Sequence, residues 1–115
     1  MKYALLIYGD ENGLETASKD ERRAMYEEYD KYAAWLVERG WMRGGEELSS
    51  TKSATSVRVK DGEILSTDGP FAETKEQLGS VYVVDCASTD DALALARRMP
   101  ASPGLTVEIR EILEV

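Results

Sequence analysis

The stretch YALLIY at residues 3–8 is apolar on both of its alternating faces, and Gly9 and Asp10 follow it. A short apolar run that ends in turn-forming residues is typical of a strand that is covered on both sides. The run GSVYVVDC at residues 79–86 has the same character, and its valines and tyrosine are residue types that strands favour. The two runs therefore predict the central strands of one sheet.

Two segments have the pattern of amphipathic helices. Ser18 and Glu21 form a capping box that predicts the start of the first helix, and Gly40 predicts its end. Apolar residues recur there at spacings of three and four, and the inward face comprises Met25, Tyr29, Tyr32, Ala33, Leu36 and Val37. A second helix is capped by Ser88 and stopped by Pro100. Its inward face comprises Ala92, Leu93, Ala96 and Met99.

Three further segments alternate apolar and polar residues, as strands with one polar face do. They are TSVRVK at residues 55–60, EILST at 63–67 and LTVEIREIL at 105–113. Asp61 and Gly62 lie between the first two, and this dipeptide favours a hairpin turn. The segments GDENGLETA at 9–17 and WMRGGEELSSTKSA at 41–54 are predicted to be loops.

The predicted order is strand, helix, hairpin strands, strand, helix, strand, which is a βαββαβ pattern when the two hairpin strands are counted as one unit. Handedness rules fold such a chain into an antiparallel sheet with two helices on one face. The 115 residues fit one domain, residues 1–115. Two helices cover only one face of the sheet, whereas the central strands are apolar on both. The second face is therefore predicted to pack against the sheet of a second copy, in a homodimer.

The composition excludes several classes of function. Fourteen Lys and Arg against 22 Asp and Glu give a net charge of −8, which disfavours nucleic acid and anionic membranes as partners. The apolar stretch at 3–8 is far shorter than the roughly 18 residues of a membrane span, and no signal peptide is indicated, so we expect a cytoplasmic protein. A single cysteine and no histidine leave no internal disulfide, CxxC site or imidazole ligand, and no cofactor or metal is predicted.

The connection DGPFAETKEQ at residues 68–77 is longer than the roughly two to five residues that join adjacent antiparallel strands. Asp68 can bond to backbone amides, Gly69 has wide conformational freedom, and Pro70 fixes the direction of the chain before Phe71. One interpretation is a structural turn anchored by a buried Phe71. The other is the wall of a pocket, in which a ligand contacts Asp68, Thr74 and Lys75.

The sequence DGPFAETKEQLGSVYVVD at residues 68–85, with MKYALLIYGDE at 1–11, resembles the DGPF-motif branch of the YCII-related family from end to end of the chain. The resemblance implies a ferredoxin-like α+β fold that pairs into a dimeric α+β barrel, with a cleft near the DGPF loop. It also implies a bacterial origin and, often, a gene neighbour that encodes an alternative sigma factor. The wider family is credited with a His and Asp pair, which cannot be transferred to a chain without histidine.

Other side chains have two interpretations each. The hydroxyls of Tyr8 and Tyr82 can reach the interior of a barrel, or the rings can serve packing with one satisfied hydrogen bond. Arg58 can pair with Asp68 or bind a ligand carboxylate, or it can simply face solvent. Cys86 has no basic neighbour in sequence, which predicts a buried and inert thiol.

Three functions follow from these patterns. We expect recognition of a small molecule in a cleft bounded by the DGPF loop, with polar contacts from Asp68 and Lys75 and apolar walls from Phe71 and the barrel tyrosines. An enzymatic alternative has Asp68 as a general base, with its pKa raised by burial beside Phe71. The third is an interaction module for a transcription regulator such as the sigma factor. The lack of histidine disfavours the enzyme, and the long charged loop favours ligand binding over interaction alone.

Overall fold

A computed structural model describes residues 1–72, 74–100 and 104–114, with Leu14 described by its backbone alone. The strands are β1 (Lys2–Gly9), β2 (Met42–Glu47), β3 (Thr55–Lys60), β4 (Glu63–Asp68), β5 (Gln77–Asp85) and β6 (Thr106–Glu111). The helices are α1 (Glu11–Thr16), α2 (Lys19–Glu38) and α3 (Thr89–Arg97), with a short 3-10 turn at Thr51–Ser53.

Four strands form one antiparallel sheet in the order β2-β5-β1-β6. Leaving out the hairpin and the short elements α1 and Thr51–Ser53, the chain runs β1, α2, β2, β5, α3, β6, which is compatible with a ferredoxin-like α+β fold. The prediction that the runs at 3–8 and 79–86 form the central strands is confirmed, because β1 and β5 lie side by side in the middle of the sheet. No helix in the described part of the chain is long and apolar enough to cross a membrane.

The prediction of a loop throughout residues 41–54 is wrong, because β2 lies inside that segment. Its sequence MRGGEE has little intrinsic preference for a strand, so the pairing with β5 determines its conformation. A Cβ at Gly45 would lie 2.6 Å from the Met42 methyl and 2.9 Å from the Tyr82 ring, so a larger residue there would have to displace these side chains. The predicted loop at 9–17 likewise contains a helix, α1.

The hairpin of β3 and β4 is confirmed, and its turn residues Asp61 and Gly62 have φ values of 51° and 80°. Positive φ at both central residues is the requirement of the tight turn that Asp-Gly favours. The two strands form a separate sheet of their own, however, and it is β2 that lies at the edge of the four-stranded sheet, beside β5.

The core lies between the sheet and the two long helices. Its buried side chains are Tyr3, Leu5, Ile7, Tyr32, Leu36, Val84, Ala92, Leu95 and Met99. Ser18 and Ser88 cap α2 and α3 as predicted, each accepting a hydrogen bond from the backbone three residues later. Two predicted inward residues point outward instead: Val37 is 63% exposed and Leu93 is 39% exposed.

The opposite face of the sheet, called here the open face, carries the alternate residues of each strand. Leu6 lies opposite Val81 on β5, and Ala4 lies opposite Val83. The core packs on the other side, around Tyr3, Leu5 and Ile7, so neither α2 nor α3 covers these residues. The open face is therefore apolar along its two central strands.

Candidate functional site

A cleft of about 540 Å³ lies on the open face, where the sheet meets the end of the loop that joins β4 to β5. Six residues line it: Tyr8, Thr74, Lys75, Glu76, Thr106 and Glu108. All six carry a polar group, and the aromatic ring of Tyr8 is the largest apolar surface among them. The cleft is broad and open in the single chain.

The strand register explains why the sheet residues of the cleft meet. Tyr8 on β1 lies opposite Thr106 on β6, and Leu6 lies opposite Glu108. Directly paired residues project from the same face, so Tyr8, Thr106 and Glu108 all rise from the open face. The β1–β5 register shifts between Ile7 and Tyr8, and an irregularity of this kind redirects a side chain at a sheet edge or site.

Hydrogen bonds organise the loop side of the cleft. The Thr106 hydroxyl donates to the Glu76 carboxylate at 3.1 Å, and the Thr74 hydroxyl donates to the Glu76 carbonyl. Lys75 and Glu108 form no salt bridge with a described residue. The cleft therefore presents an ammonium and a carboxylate that are both available to a ligand, beside a carboxylate that is already hydrogen bonded.

The first part of the DGPF loop is held away from this cleft by the hairpin. The Gly69 amide donates to the Ala54 carbonyl at 2.6 Å, and the Ser56 hydroxyl donates to the Gly69 carbonyl at 2.6 Å. Asp68 ends β4 and is exposed, whereas Gly69 and Pro70 are half-buried. Phe71 is 81% exposed, so the predicted buried anchor is wrong for the single chain.

The predicted site residues thus divide into two groups. Tyr8, Thr74 and Lys75 meet in the cleft. The residues that do not line it are Asp68, Gly69, Pro70, Phe71, Tyr82 and Arg58. The predicted burial of Asp68 beside Phe71 is wrong, because both side chains are exposed. The role of Asp68 as a general base stays a prediction.

Tyr82 projects from the face of β5 that packs against the helices. Its ring makes an edge contact with Tyr32, with ring centroids 5.8 Å apart. Burial raises the pKa of the Tyr82 phenol, and the neighbouring phenol of Tyr29 and two nearby carboxylates act in the same direction. In this chain Tyr82 is part of the packing between α2 and the sheet.

Arg58 is exposed on β3, opposite Leu65. It forms no salt bridge with Asp68, so of the interpretations given for Arg58 the structure agrees with a side chain that faces solvent. The register gives the reason. Asp68 lies opposite Thr55 at the base of the hairpin, whereas Arg58 is three residues nearer the turn.

Glu11 joins the beginning of α1 to the segment that precedes the hairpin. Its carboxylate accepts hydrogen bonds from the Thr51 amide at 2.8 Å, the Thr51 hydroxyl at 2.8 Å and the Ser50 hydroxyl at 3.2 Å. Slight burial raises the pKa of this carboxyl, but these hydrogen bonds and the charge of Lys52 outweigh it, so the pKa lies below its ordinary value.

Neither metal chemistry nor thiol chemistry is indicated by the described residues. No three His, Cys, Asp or Glu side chains among them are arranged to hold a metal ion. Cys86 is half-buried rather than buried, and its thiol donates to the Ser88 carbonyl at 3.6 Å. Burial raises the pKa of the Cys86 thiol, which lowers the thiolate fraction at neutral pH.

Three cleft residues, Glu76, Thr106 and Glu108, were not singled out by the sequence patterns. The signal for two of them is the polar face of β6, where Thr106 and Glu108 alternate with Val107. That alternation shows that they share a face, but only the pairing of β6 with β1 shows that they meet Tyr8.

Comparison with known proteins places this arrangement in a family. The family model of the YCII-related domain matches residues 1–115. The chain belongs to the YCII-related family. This YCII-related chain is also similar to an uncharacterized protein of Rhizobium meliloti (strain 1021), with 41% identity over 97 residues. The matched region covers 84% of this chain and 78% of that relative.

The side chains that line the cleft of this YCII-related protein determine which groups could transfer a proton there. The chain has no histidine, so proton transfer in the cleft would fall to Lys75, Glu76, Glu108 or Tyr8. The cleft thus offers a ligand charges of both signs and hydrogen-bonding groups.

Proposed function

We propose that this YCII-related protein, as a member of the DGPF-motif branch, is a homodimer that binds a small polar molecule in the cleft beside the DGPF loop. The observation that carries the proposal is the convergence of Tyr8, Lys75 and Glu108, which come from β1, the loop and β6, at one place on the open face. A few convergent polar groups beside an aromatic ring are typical of small-molecule sites.

The charges of the cleft favour a ligand with groups of both signs. The Lys75 ammonium suits a carboxylate or another anionic oxygen, and the Glu108 carboxylate suits an amine or a hydroxyl donor. The Tyr8 ring supplies an apolar surface between sheet and ligand. A compact hydroxylated or amino-substituted acid has this combination of groups.

The open face supports the homodimer. Leu6 and Val81 form its centre, and they lie on the side of the sheet that α2 and α3 leave uncovered. Two such faces pack about 10 Å apart when sheets stack. The stacked partner would also roof the cleft, because Tyr8 and Glu108 rise from that same face. Covering the cleft excludes water and strengthens the interactions of Lys75 with a ligand.

A thermal-shift screen against a library of small metabolites tests the proposal, with the Lys75→Met variant run in parallel. A ligand at about one hundred times its dissociation constant adds about 2.7 kcal/mol of stability, which raises the melting temperature by several degrees in a domain of this size. We expect at least one compound to stabilise the wild type and to lose most of this effect in Lys75→Met.

The matched control is Lys52→Met, which removes an exposed lysine that pairs with Glu15 outside the cleft. This variant should respond to the compound as the wild type does. A library without effect on the wild type, or a compound that stabilises Lys75→Met and the wild type equally, would contradict the ligand site. Sedimentation equilibrium tests the homodimer separately, and a monomer at micromolar concentration would contradict that part.

A further inference from the structure

Tyr8 and Glu108 bring an aromatic ring and a carboxylate together in the cleft. Tyr8 lies opposite Thr106, and Glu108 is the next residue of β6 on the same face. Tyr8 and Glu108 are therefore diagonal neighbours, at a separation of roughly 7–8 Å that an aromatic ring and a long side chain can bridge. Both line the cleft. A group with a positive charge could contact the two side chains at the same time.

Glu108 is the cleft carboxylate that the described chain leaves for a ligand. It forms no salt bridge with a described residue. Glu76 differs, because its carboxylate already accepts the hydroxyl of Thr106 at 3.1 Å. Arg110 follows Glu108 on the same face of β6, but it lies opposite Ala4 and outside the lining of the cleft. No ion pair between Arg110 and a described carboxylate is formed either.

The described lining of the cleft contains more negative than positive charge. Glu76 and Glu108 supply two carboxylates, whereas Lys75 supplies one ammonium. The chain as a whole has a net charge of −8, and such a field attracts cations. A ligand that brings only an anionic group to Lys75 adds to the negative excess. A ligand that also carries a cationic group does not.

We infer that the ligand of the cleft carries a cationic amine, which binds between the Glu108 carboxylate and the Tyr8 ring. Glu108 is then the residue that selects an amino-substituted acid over the corresponding hydroxy acid, while the acid group of the ligand binds Lys75. The inference rests on the ligand site proposed above and narrows its ligand class.

An ammonium gains two interactions in this position that a hydroxyl group does not. Its hydrogen bond to Glu108 joins two charged partners, and such bonds are stronger than those of a neutral donor. Its charge is also attracted by the electrons of the Tyr8 ring. Glu108 is exposed, so solvent screens the ion pair and limits the expected preference for the amine to about tenfold.

The size of the cleft indicates which amino acids are suitable probes. Its volume of about 540 Å³ is in the range of small-molecule sites. Glu108 and Lys75 come from different elements, β6 and the loop, so the amine and the acid of the ligand need not be on the same carbon. Probes of increasing chain length therefore sample the spacing between the two groups.

Matched pairs of probes that differ only in the amine test the inference. They are glycine with glycolate, β-alanine with β-hydroxypropionate, and γ-aminobutyrate with γ-hydroxybutyrate. Isothermal titration gives the Kd of each probe for the wild-type protein. We expect the amino member of at least one pair to bind at least about tenfold more tightly than its hydroxy partner.

Glu108→Gln removes the charge of this side chain and keeps its size. It should weaken binding of the amino probe by at least about tenfold and change that of the hydroxy probe by less than about threefold. The matched control is Glu46→Gln. Glu46 is an exposed residue on the same row of the open face, which runs through Val81 and Leu6 to Glu108, but it does not line the cleft. Glu46→Gln should keep the preference for the amine.

Two variants of Tyr8 test the role of its ring. Tyr8→Phe keeps an aromatic ring and should keep the preference for the amine. Tyr8→Leu removes the ring and should reduce this preference by about threefold. Loss of packing alone would weaken the two members of a pair equally and leave the preference unchanged. The tryptophan fluorescence of Trp35 and Trp41 shows that each variant is folded.

The outcomes separate this inference from the ligand site on which it rests. If a hydroxy probe binds as tightly as its amino partner, or if Glu108→Gln leaves the preference unchanged, the inference is overturned and the ligand site stands. If no probe binds, the compound from the thermal-shift screen takes their place. A compound without a cationic group, or one whose binding Glu108→Gln does not weaken, overturns the inference. If neither the probes nor the library bind the wild type, both proposals are overturned.

Discussion

The hydroxyl of Ser56 donates a 2.6 Å hydrogen bond to the carbonyl of Gly69, and this bond fixes the start of the DGPF loop against the hairpin. The Gly69 amide is bonded in turn to the Ala54 carbonyl, so both backbone groups of Gly69 are satisfied. These two hydrogen bonds thus connect the start of the loop that leads to Lys75 with the hairpin and the residue that precedes it. A change at Gly69 is expected to reach the cleft through only a few residues of chain.

Gly69→Ala should destabilise the protein by roughly 1–2 kcal/mol, because its φ of +98° is unfavourable for a residue with a Cβ. No atom lies within 4 Å of that Cβ position, so the cost comes from the backbone alone. Urea unfolding measures it. The matched control is Gly13→Ala, in α1, where the Cβ also meets nothing and φ is not positive. An equal effect at both positions would contradict this account.

Leu36→Ala should cost about 2–5 kcal/mol, because Leu36 is fully buried between α2 and the sheet and its truncation leaves a cavity. Its neighbour Val37 is 63% exposed, and Val37→Ala should change stability by less than about 0.5 kcal/mol. Both are measured by urea unfolding at one protein concentration, with tryptophan fluorescence as the signal. Similar losses at the two positions would contradict the placement of α2.

The parts of the fold that could be predicted are those whose signal is local. The Ser18 cap, the Asp61–Gly62 turn and the apolar run of β1 each carry their own physical cause within a few residues. β2 could not be predicted in this way. Its glycines and charges disfavour a strand, and only the distant pairing with β5 stabilises it.

The candidate site likewise contains residues with a local sequence signal and residues whose position depends on the pairing of distant strands. Lys75 and Tyr8 could be predicted because one lies in an unusually long loop and the other ends an apolar strand. Glu108 depends on the register of β6 against β1, which alternation along one strand does not contain. The face of the sheet from which Tyr82 projects could not be predicted, because β5 is apolar on both faces. Alternation along β5 therefore does not indicate that the ring packs against the helices.

Tyr32 should make the protein less stable at high pH. Its buried hydroxyl donates to the Leu95 carbonyl at 2.7 Å, and burial raises the pKa of the phenol well above its ordinary value near 10. The unfolded chain then loses this proton at lower pH than the folded chain does. The stability that Tyr32 contributes is therefore complete below about pH 10 and is lost as the pH rises toward the folded pKa.

Urea unfolding from pH 7 to 11 measures this dependence in the wild type and in Tyr32→Phe. The variant should be less stable by about 1 kcal/mol at pH 7, because the Leu95 carbonyl loses its donor, and its stability should fall less steeply above pH 10. Some slope will remain, since burial also raises the pKa of Tyr29 and Tyr82. Identical slopes in both proteins would contradict the role of Tyr32.

Glu11→Ala should increase local opening of the segment around Thr51, which precedes the hairpin, with little effect on the core. The carboxylate is the acceptor for the Thr51 amide and for the hydroxyls of Thr51 and Ser50, so its removal leaves that amide open to exchange. Because the pKa of Glu11 is lowered, the stabilisation is present above its unfolded value near 4.3 and is lost as the pH falls through the folded pKa. Hydrogen exchange of Thr51 should therefore accelerate in Glu11→Ala at neutral pH, whereas Glu15→Ala, which removes only an exposed pair with Lys52, should leave it unchanged. Equal exchange in the two variants would show that the carboxylate of Glu11 does not hold this segment.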